Sequence, residues 1–227
     1  MSYEEPTYSG GYHEEARVIS ALIYPGFDML DLFGPLEMFT MLPFKYKVHL
    51  VAQTMQPVPS KQGAVVLPDM TLEEDDRPQM LLVPGGQGAG AAVESSAILQ
   101  WISRASLNAE TVMSVCTGAA LLARAGVLDG LSATSNKMAL NWVETQGPKV
   151  RWKAKGRWVQ DSKFYTSSGI AAGIDMALAV IAEQQGKEVA YETALYAEYS
   201  WNDDPTNDPF TKKESGLSTL VGGNQFL

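Results

Sequence analysis

Short apolar runs that end at proline or glycine alternate along this chain with longer stretches of helical periodicity. The first run, residues 18–24, stops at Pro25 and Gly26, and apolar side chains then recur at helical spacing from Leu30 to Phe39. A short apolar run bounded by turn residues is typical of a buried parallel strand. The alternation therefore predicts an α/β domain in which helices cover both faces of a mostly parallel sheet.

The same pattern repeats over most of the 227 residues. Further strands are predicted at residues 46–52, 63–67, 79–83, 111–115, 158–159 and 164–166, and further helices at 91–107, 119–123, 138–145 and 171–185. Three regions are expected: a flexible arm at residues 1–16, one domain at residues 17–200, and an irregular extension at residues 201–227.

The charge balance argues against nucleic-acid and membrane partners. Seventeen basic and 26 acidic residues give a formal net charge of −9, which repels phosphate backbones and anionic headgroups. No apolar run approaches the length of a bilayer span, and the acidic first residues lack the features of a signal peptide. We expect a cytoplasmic protein that acts on a small molecule.

One cysteine, Cys116, limits the available chemistry. It excludes an internal disulfide and a metal cluster built from cysteines. Cys116 follows the strand at 111–115 and precedes Thr-Gly-Ala-Ala, as in a nucleophile elbow, where small residues let the chain turn sharply into a helix. A lone cysteine is more often a buried apolar filler, but a thiol at a helix N-terminus meets a dipole and N–H groups that favour the thiolate. This context predicts Cys116 as the nucleophile.

Two more segments reach the same edge of the predicted sheet, where ligands collect in open α/β folds. Gly85 and Gly86 follow the strand at 79–83 and can present backbone N–H groups to Cys116, although a glycine pair also suits an ordinary tight turn. Asp31 lies near the start of the first predicted helix. Taken alone, it is explained as well by helix capping as by catalysis.

These segments resemble the DJ-1/PfpI superfamily, the class I glutamine amidotransferase-like fold, and within it the isonitrile hydratases. The resemblance covers about residues 17–200. Six motifs carry it: YPGF at 24–27, LDLFGP at 30–35, VPGG at 83–86, SVCTG at 114–118, ATSN at 133–136 and SGIAAGID at 168–175. It implies a flavodoxin-like three-layer sandwich, a homodimer, and Cys116 as the reactive cysteine, with Asp31 shuttling protons and Thr117 matching the threonine after the cysteine.

Protease-like and amidase-like relatives place a histidine directly after the cysteine or further along, at positions that hold Thr117 and Asn136 here. The chain has two histidines, His13 in the predicted arm and His49 in a predicted strand. A Cys–His dyad is therefore hard to build within one chain, which argues against peptide or amide hydrolysis.

The favoured function is hydration of an isonitrile to an N-substituted formamide. In this hypothesis Cys116 attacks the terminal carbon, Asp31 supplies its proton, and water hydrolyses the resulting thioimidate. Thr117 and Asn136 would orient water or substrate, and the N–H groups of Gly86 and Thr117 would stabilise negative charge. No metal site and no organic cofactor are expected.

Two alternatives keep Cys116 and change its role. A glyoxalase-like enzyme would act on methylglyoxal through a hemithioacetal, but relatives use a glutamate and a histidine there, and Asp31 is a shorter base. A redox-sensing stress protein would use the same thiol as an oxidation sensor. A transcription factor is disfavoured, because no helix-turn-helix pattern follows the α/β domain.

Overall fold

A computed structural model describes residues 16–76 and 78–211. The strands are β1 (Arg17–Leu22), β2 (Tyr46–Ala52), β3 (Val58–Pro59), β4 (Val65–Val66), β5 (Met70–Thr71), β6 (Met80–Val83), β7 (Thr111–Val115), β8 (Ser132–Ala133), β9 (Arg151–Trp152), β10 (Trp158–Asp161) and β11 (Phe164–Ser167). The helices are α1 (Met29–Thr40), α2 (Ala89–Ala92), α3 (Ser96–Asn108), α4 (Gly118–Arg124), α5 (Leu140–Gln146), α6 (Ala172–Gln185) and α7 (Lys187–Tyr196), followed by a 3₁₀ turn at Pro209–Thr211.

Seven strands form one sheet in the order β10-β11-β7-β6-β1-β2-β5. Every neighbouring pair is parallel except β10 and β11 at one edge, which are antiparallel. All residues of β6 and β7 are buried, as expected for central strands covered on both faces. The predicted α/β fold, a flavodoxin-like three-layer sandwich with a mostly parallel sheet, is confirmed.

Helices form a layer on each side of this sheet. On one side α1 and α7 pack on α6, and on the other α2, α3 and α5 pack on α4. The largest fully buried side chains include Trp101 of α3, Phe39 of α1 and Tyr46 of β2. Each large apolar side chain buried in this way stabilises the fold by about 1.5–3 kcal/mol, so the core holds the carboxyl ends of the central strands β7 and β6 in place.

Helix α1 starts at a cap and contains a proline. The Asp28 carboxylate accepts a hydrogen bond from the Leu30 N–H at 3.1 Å, as N-cap aspartates do. Pro35 lies inside the helix, and a proline there cannot donate to the carbonyl four residues earlier, which belongs to Asp31. Asp28 therefore takes the capping role considered for Asp31, whose carboxylate makes other contacts.

Several elements differ from the sequence predictions. The helix predicted at residues 91–107 is two helices, α2 and α3, because Ser95 interrupts it and caps α3 by accepting from the Ile98 N–H at 3.4 Å. The strand predicted at residues 63–67 is reduced to the two residues of β4, which pair with β3 in a hairpin outside the main sheet. Helix α7 and the edge strand β5 were not predicted.

The region after α7 is irregular up to residue 208 and packs back on the domain. The Trp201 indole donates to the Asp175 carbonyl at 3.1 Å, and the Asn202 N–H donates to the Asp175 carboxylate at 3.0 Å. The later part of the predicted extension, residues 212–227, and residues 1–15 of the predicted arm lie outside the described residues. None of the helices within the described ranges is long and apolar enough to cross a membrane.

Candidate active site

Cys116 occupies a strained turn between β7 and α4. Its φ angle is 57°, in the left-handed region that costs a residue other than glycine roughly 1–2 kcal/mol. The turn is tight because Gly118 approaches β6 so closely that a Cβ there would lie 2.1 Å from the Val83 carbonyl oxygen. This is the geometry of a nucleophile elbow, and it explains the order of Cys116, Thr117 and Gly118 in the sequence.

Three donors converge on the Cys116 sulfur. The Asn136 Nδ2 donates to Sγ at 3.2 Å. The backbone N–H groups of Thr117 and Ile170 also bond to the ionised sulfur, and all three donors lower the pKa of the thiol. The site can therefore stabilise negative charge on sulfur when it forms.

Burial nevertheless dominates the protonation of Cys116. The residue is 7% exposed, and desolvation raises the pKa of its thiol well above the ordinary range, with the nearby Asp31 charge raising it further. The N–H donors favour the thiolate, as expected from the sequence, but their effect on the pKa is smaller than that of burial. The low polarity around a fully enclosed sulfur outweighs those donors, so the thiol is protonated until a base removes its proton.

Asp31 is a buried acid beside this thiol. Its Oδ2 accepts a hydrogen bond from the Gly85 N–H at 3.0 Å, while Oδ1 is buried and has no hydrogen-bond partner within the described residues. Burial, followed by the charge of Asp28, raises the pKa of Asp31 to about 8, against the lowering effects of the Gly85 N–H, the Cys116 thiol and Lys61. The carboxyl group can therefore exchange a proton near neutral pH.

The glycine pair after β6 brings the acid and the elbow together. A Cβ on Gly85 would lie 2.5 Å from the nitrogen and the hydroxyl oxygen of Thr117 and 2.9 Å from the Asp31 Oδ2. The Gly86 N–H donates to the Thr117 hydroxyl oxygen at 3.0 Å, so in this structure it points at a side chain. Stabilisation of substrate charge by Gly86 and Thr117 stays a prediction.

The orientation of the Asn136 amide is set by its neighbours. Its Oδ1 accepts from the Met138 N–H at 2.8 Å, which directs Nδ2 towards sulfur. A Cβ on Gly169 would lie 2.7 Å from Nδ2, so glycine leaves the space that the amide occupies. Next to it, the Ser135 hydroxyl donates to the Cys116 carbonyl at 2.6 Å. Two adjacent side chains thus hold the nucleophile.

The structure brings the predicted site residues together and adds residues that sequence reasoning missed. Cys116, Asp31, Thr117, Gly85, Gly86 and Asn136 form one connected cluster. The additions are Ser135, Tyr24 and Ile170. Tyr24 is buried, donates to the Pro84 carbonyl at 2.9 Å, and has a pKa raised by burial and by Asp31 and Cys116. Ile170 acts through its backbone, so its apolar side chain gave no signal of this contact.

The histidine at position 49 lies away from the cluster. It belongs to β2, opposite Ser20 of β1, whereas Cys116 follows β7, and two strands, β1 and β6, lie between β2 and β7. Burial lowers the pKa of His49. Within residues 16–76 and 78–211, Asp31 therefore lies beside the Cys116 thiol and no histidine does; His13 lies outside these residues.

Comparison with known proteins agrees with this geometry. The chain is 36% identical to an isonitrile hydratase of Pseudomonas putida over 185 residues, 82% of this chain and 79% of that enzyme. It is 28% identical to the HTH-type transcriptional regulator CdhR of Pseudomonas aeruginosa, but spans about half of that protein, covering 52% of it and 76% of this chain.

The fold has close counterparts among solved structures. The crystal structure of a ThiJ/PfpI family protein from Pseudomonas syringae matches with a TM-score of 0.79 at 28% identity, over 96% of this chain and 91% of that one. The sequence profile of the DJ-1/PfpI family matches residues 17–183, which include all six motifs identified in the sequence. The chain belongs to the DJ-1/PfpI family.

Proposed function

We propose that this protein hydrates an isonitrile to an N-substituted formamide, with Cys116 as nucleophile and Asp31 as general acid and base. The observation that carries the proposal is the buried carboxyl group of Asp31, held by the Gly85 N–H in the same enclosed cluster as the Cys116 thiol. A carboxyl group with a pKa of about 8 can both take a proton and return it. Identity of 36% to an isonitrile hydratase over most of the chain supports this choice of substrate.

In the first step the sulfur bonds to the terminal carbon of R–N≡C. Ionised Asp31 takes the thiol proton as the Cys116 sulfur attacks, and then gives that proton to the same carbon, so that R–N=CH–S–Cys116 forms. The proton moves from sulfur to carbon, and no oxidant or reductant is needed. The three donors around Sγ lower the cost of charge on sulfur during the transfer.

In the second step a water molecule adds to the thioimidate carbon. Asp31 accepts a proton from the water and passes it to the imine nitrogen, which gives a tetrahedral R–NH–CH(OH)–S–Cys116 and leaves Asp31 ionised. Collapse of this intermediate breaks the C–S bond, returns a proton to sulfur and releases R–NH–CHO. We assign orientation of the water to Thr117 and Asn136, whose polar side chains belong to the same cluster as the sulfur.

Oxidation sensing finds less support than hydration. Redox sensors use accessible thiols of low pKa, whereas Cys116 is enclosed and burial raises the pKa of its thiol.

We further propose a homodimer, from the family resemblance, and a cytoplasmic location, from the reduced state that one unpaired cysteine favours.

The test is formamide production from an alkyl and an aryl isonitrile by the purified protein. Cys116→Ser should abolish turnover, and Asp31→Asn should lower it by about 10²–10⁴-fold while Asn still accepts from the Gly85 N–H. Asp75→Asn is a matched control, because Asp75 is also a buried aspartate but bonds Ser20 and Trp101 on the far side of β6. Unchanged turnover in Cys116→Ser would refute the covalent mechanism.

A further inference from the structure

Lys137 is an enclosed lysine directly after Asn136. Its side chain is 12% exposed. The ammonium donates to the Thr134 hydroxyl oxygen at 2.8 Å and to the Gly156 carbonyl at 3.0 Å, and it pairs with the Asp208 carboxylate at 3.3 Å. A lysine held by this many partners is costly to move, because each lost partner leaves a buried polar group unpaired.

The four residues 134–137 form a loop between β8 and α5 whose side chains point to two places. Those of Ser135 and Asn136 reach the carbonyl and the sulfur of Cys116. The Thr134 and Lys137 side chains point away from Cys116. The Thr134 hydroxyl donates to the Lys153 carbonyl at 2.7 Å and accepts from the Lys137 ammonium. Lys137 thus fastens the loop that carries the thiol contacts.

Asp208 comes from the irregular segment after α7, residues 199–208, which we call the strap. The Asp208 side chain is fully buried. The strap is tied to the domain at its start, where the Tyr199 hydroxyl donates to the Asp175 carboxylate at 2.9 Å, and in its middle, where the backbone N–H of Arg157 donates to the Pro205 carbonyl at 2.7 Å. Asp208 therefore reaches Lys137 from a firmly held backbone.

We propose that the Lys137–Asp208 pair positions the Asn136 amide on the Cys116 sulfur, so that the strap sets the reactivity of the nucleophile. Neither residue touches Cys116. Both act through the loop at 134–137, which makes them positioning residues. This inference concerns the thiol itself and holds whether or not the substrate is an isonitrile.

The test measures the rate at which iodoacetamide alkylates Cys116 between pH 7 and 10, followed by intact mass. Cys116 is the single cysteine, so thiol adducts report on Cys116, and adducts that also form on Cys116→Ser are subtracted. Because Asn136 donates to the ionised sulfur, Asn136→Ala should slow alkylation by at least about tenfold. Lys137→Met and Asp208→Asn should each slow it in the same direction, and Lys137→Arg should restore most of the rate.

The double variant Asn136→Ala/Lys137→Met separates a positioning role from a general one. If Lys137 acts through Asn136, the double variant is alkylated no more slowly than Asn136→Ala alone. Effects that multiply in the double variant would overturn the proposal, as would wild-type alkylation of Asp208→Asn. If Lys137→Met fails to fold, Asp208→Asn decides, because it preserves shape and the other bonds of Lys137.

Lys163→Met is the matched control for lost stability. Lys163 is also a partly buried lysine that donates to backbone carbonyls, including that of Ala109 at 2.9 Å, but it lies at the other end of β11 from Ser168, whose carbonyl accepts from the Cys116 N–H. This variant should lower the melting temperature and leave the alkylation rate unchanged. A comparable slowing in Lys163→Met would show that the effect follows stability, and the proposal would be wrong.

Discussion

Replacement of Asp28 by asparagine should move the pH dependence of catalysis without removing a catalytic group. The charge of Asp28 is, after burial, the second cause that raises the pKa of Asp31 to about 8. Asparagine caps helices as well as aspartate does, and its single oxygen can still accept from the Leu30 N–H. The substitution removes the charge and the hydrogen bond that the second Asp28 oxygen accepts from the Gln62 Nε2 at 2.9 Å.

The expected shift follows from the spacing of the two carboxylates. Residues three apart at a helix start have Cβ atoms roughly 5–6 Å apart, and two like charges about 7 Å apart repel by about 1–2 kcal/mol at an effective dielectric constant of roughly 20–40. This energy corresponds to about one pKa unit. We expect the pKa of Asp31 to fall from about 8 to roughly 7 in Asp28→Asn.

The assay is kcat/KM for isonitrile hydration from pH 5.5 to 9.5. Because ionised Asp31 must take the thiol proton, the rate should rise with pH and level off above about 8. In Asp28→Asn the midpoint of this rise should lie about one pH unit lower. The variant should then be roughly eightfold faster than wild type at pH 6.5 and equal to it at pH 9.5. Asp75→Asn should leave the midpoint unchanged, and an unchanged midpoint in Asp28→Asn would refute its assignment to Asp31.

Two further predictions concern stability. Because the pKa of Asp31 is raised in the folded state, from 3.8 to about 8, the folded state holds a proton that the unfolded chain has released, so Asp31 destabilises the fold increasingly as pH rises from about 4 to 8. At pH 8, Asp31→Asn should therefore be more stable than wild type by a few kcal/mol and melt at a higher temperature, whereas at pH 4 the two proteins should melt at the same temperature. Equal melting temperatures at pH 8 would contradict the raised pKa. Gly118→Ala should cost several kcal/mol in urea unfolding, because its Cβ would lie 2.1 Å from the Val83 carbonyl, whereas Gly90→Ala, with open space around it, should cost nothing; equal costs would disprove the close approach at the elbow.

The sequence predicted the fold well where periodicity and burial coincide. The strands at 46–52 and 111–115 have the predicted bounds. Residues 111–115 are all buried and are apolar or small, and residues 46–52 include aromatic and β-branched residues that favour strands. Helix α7 was missed because apolar or aromatic side chains (Tyr191, Leu195 and Tyr196) also lie on its exposed face, which weakens its periodicity. The break between α2 and α3 was missed because the sequence alone does not show that the Ser95 side chain accepts from a backbone N–H and caps α3.

The site was predictable where side chains carry the chemistry. Cys116 and Asp31 stand out because a thiol and a carboxylate occur at chain positions that parallel topology brings together. The backbone contact of Ile170 has no such signal. The protonation state of Cys116 was also beyond sequence reasoning, because the dipole and N–H donors are visible in the order of elements, whereas the extent of desolvation depends on packing of the whole domain.

The close contact at Gly85 has a consequence for how this scaffold can acquire new substrates. One missing Cβ leaves room for the elbow backbone, the Thr117 hydroxyl and the Asp31 carboxylate at once, so any side chain at position 85 would damage the acid and the nucleophile together. A mutant library that targets the centre of the site would consist mostly of inactive proteins. Variation in specificity has to enter from the rim, at residues such as Met138 and Ile170, which hold the site through their backbone N–H groups and expose 62% and 39% of their surface.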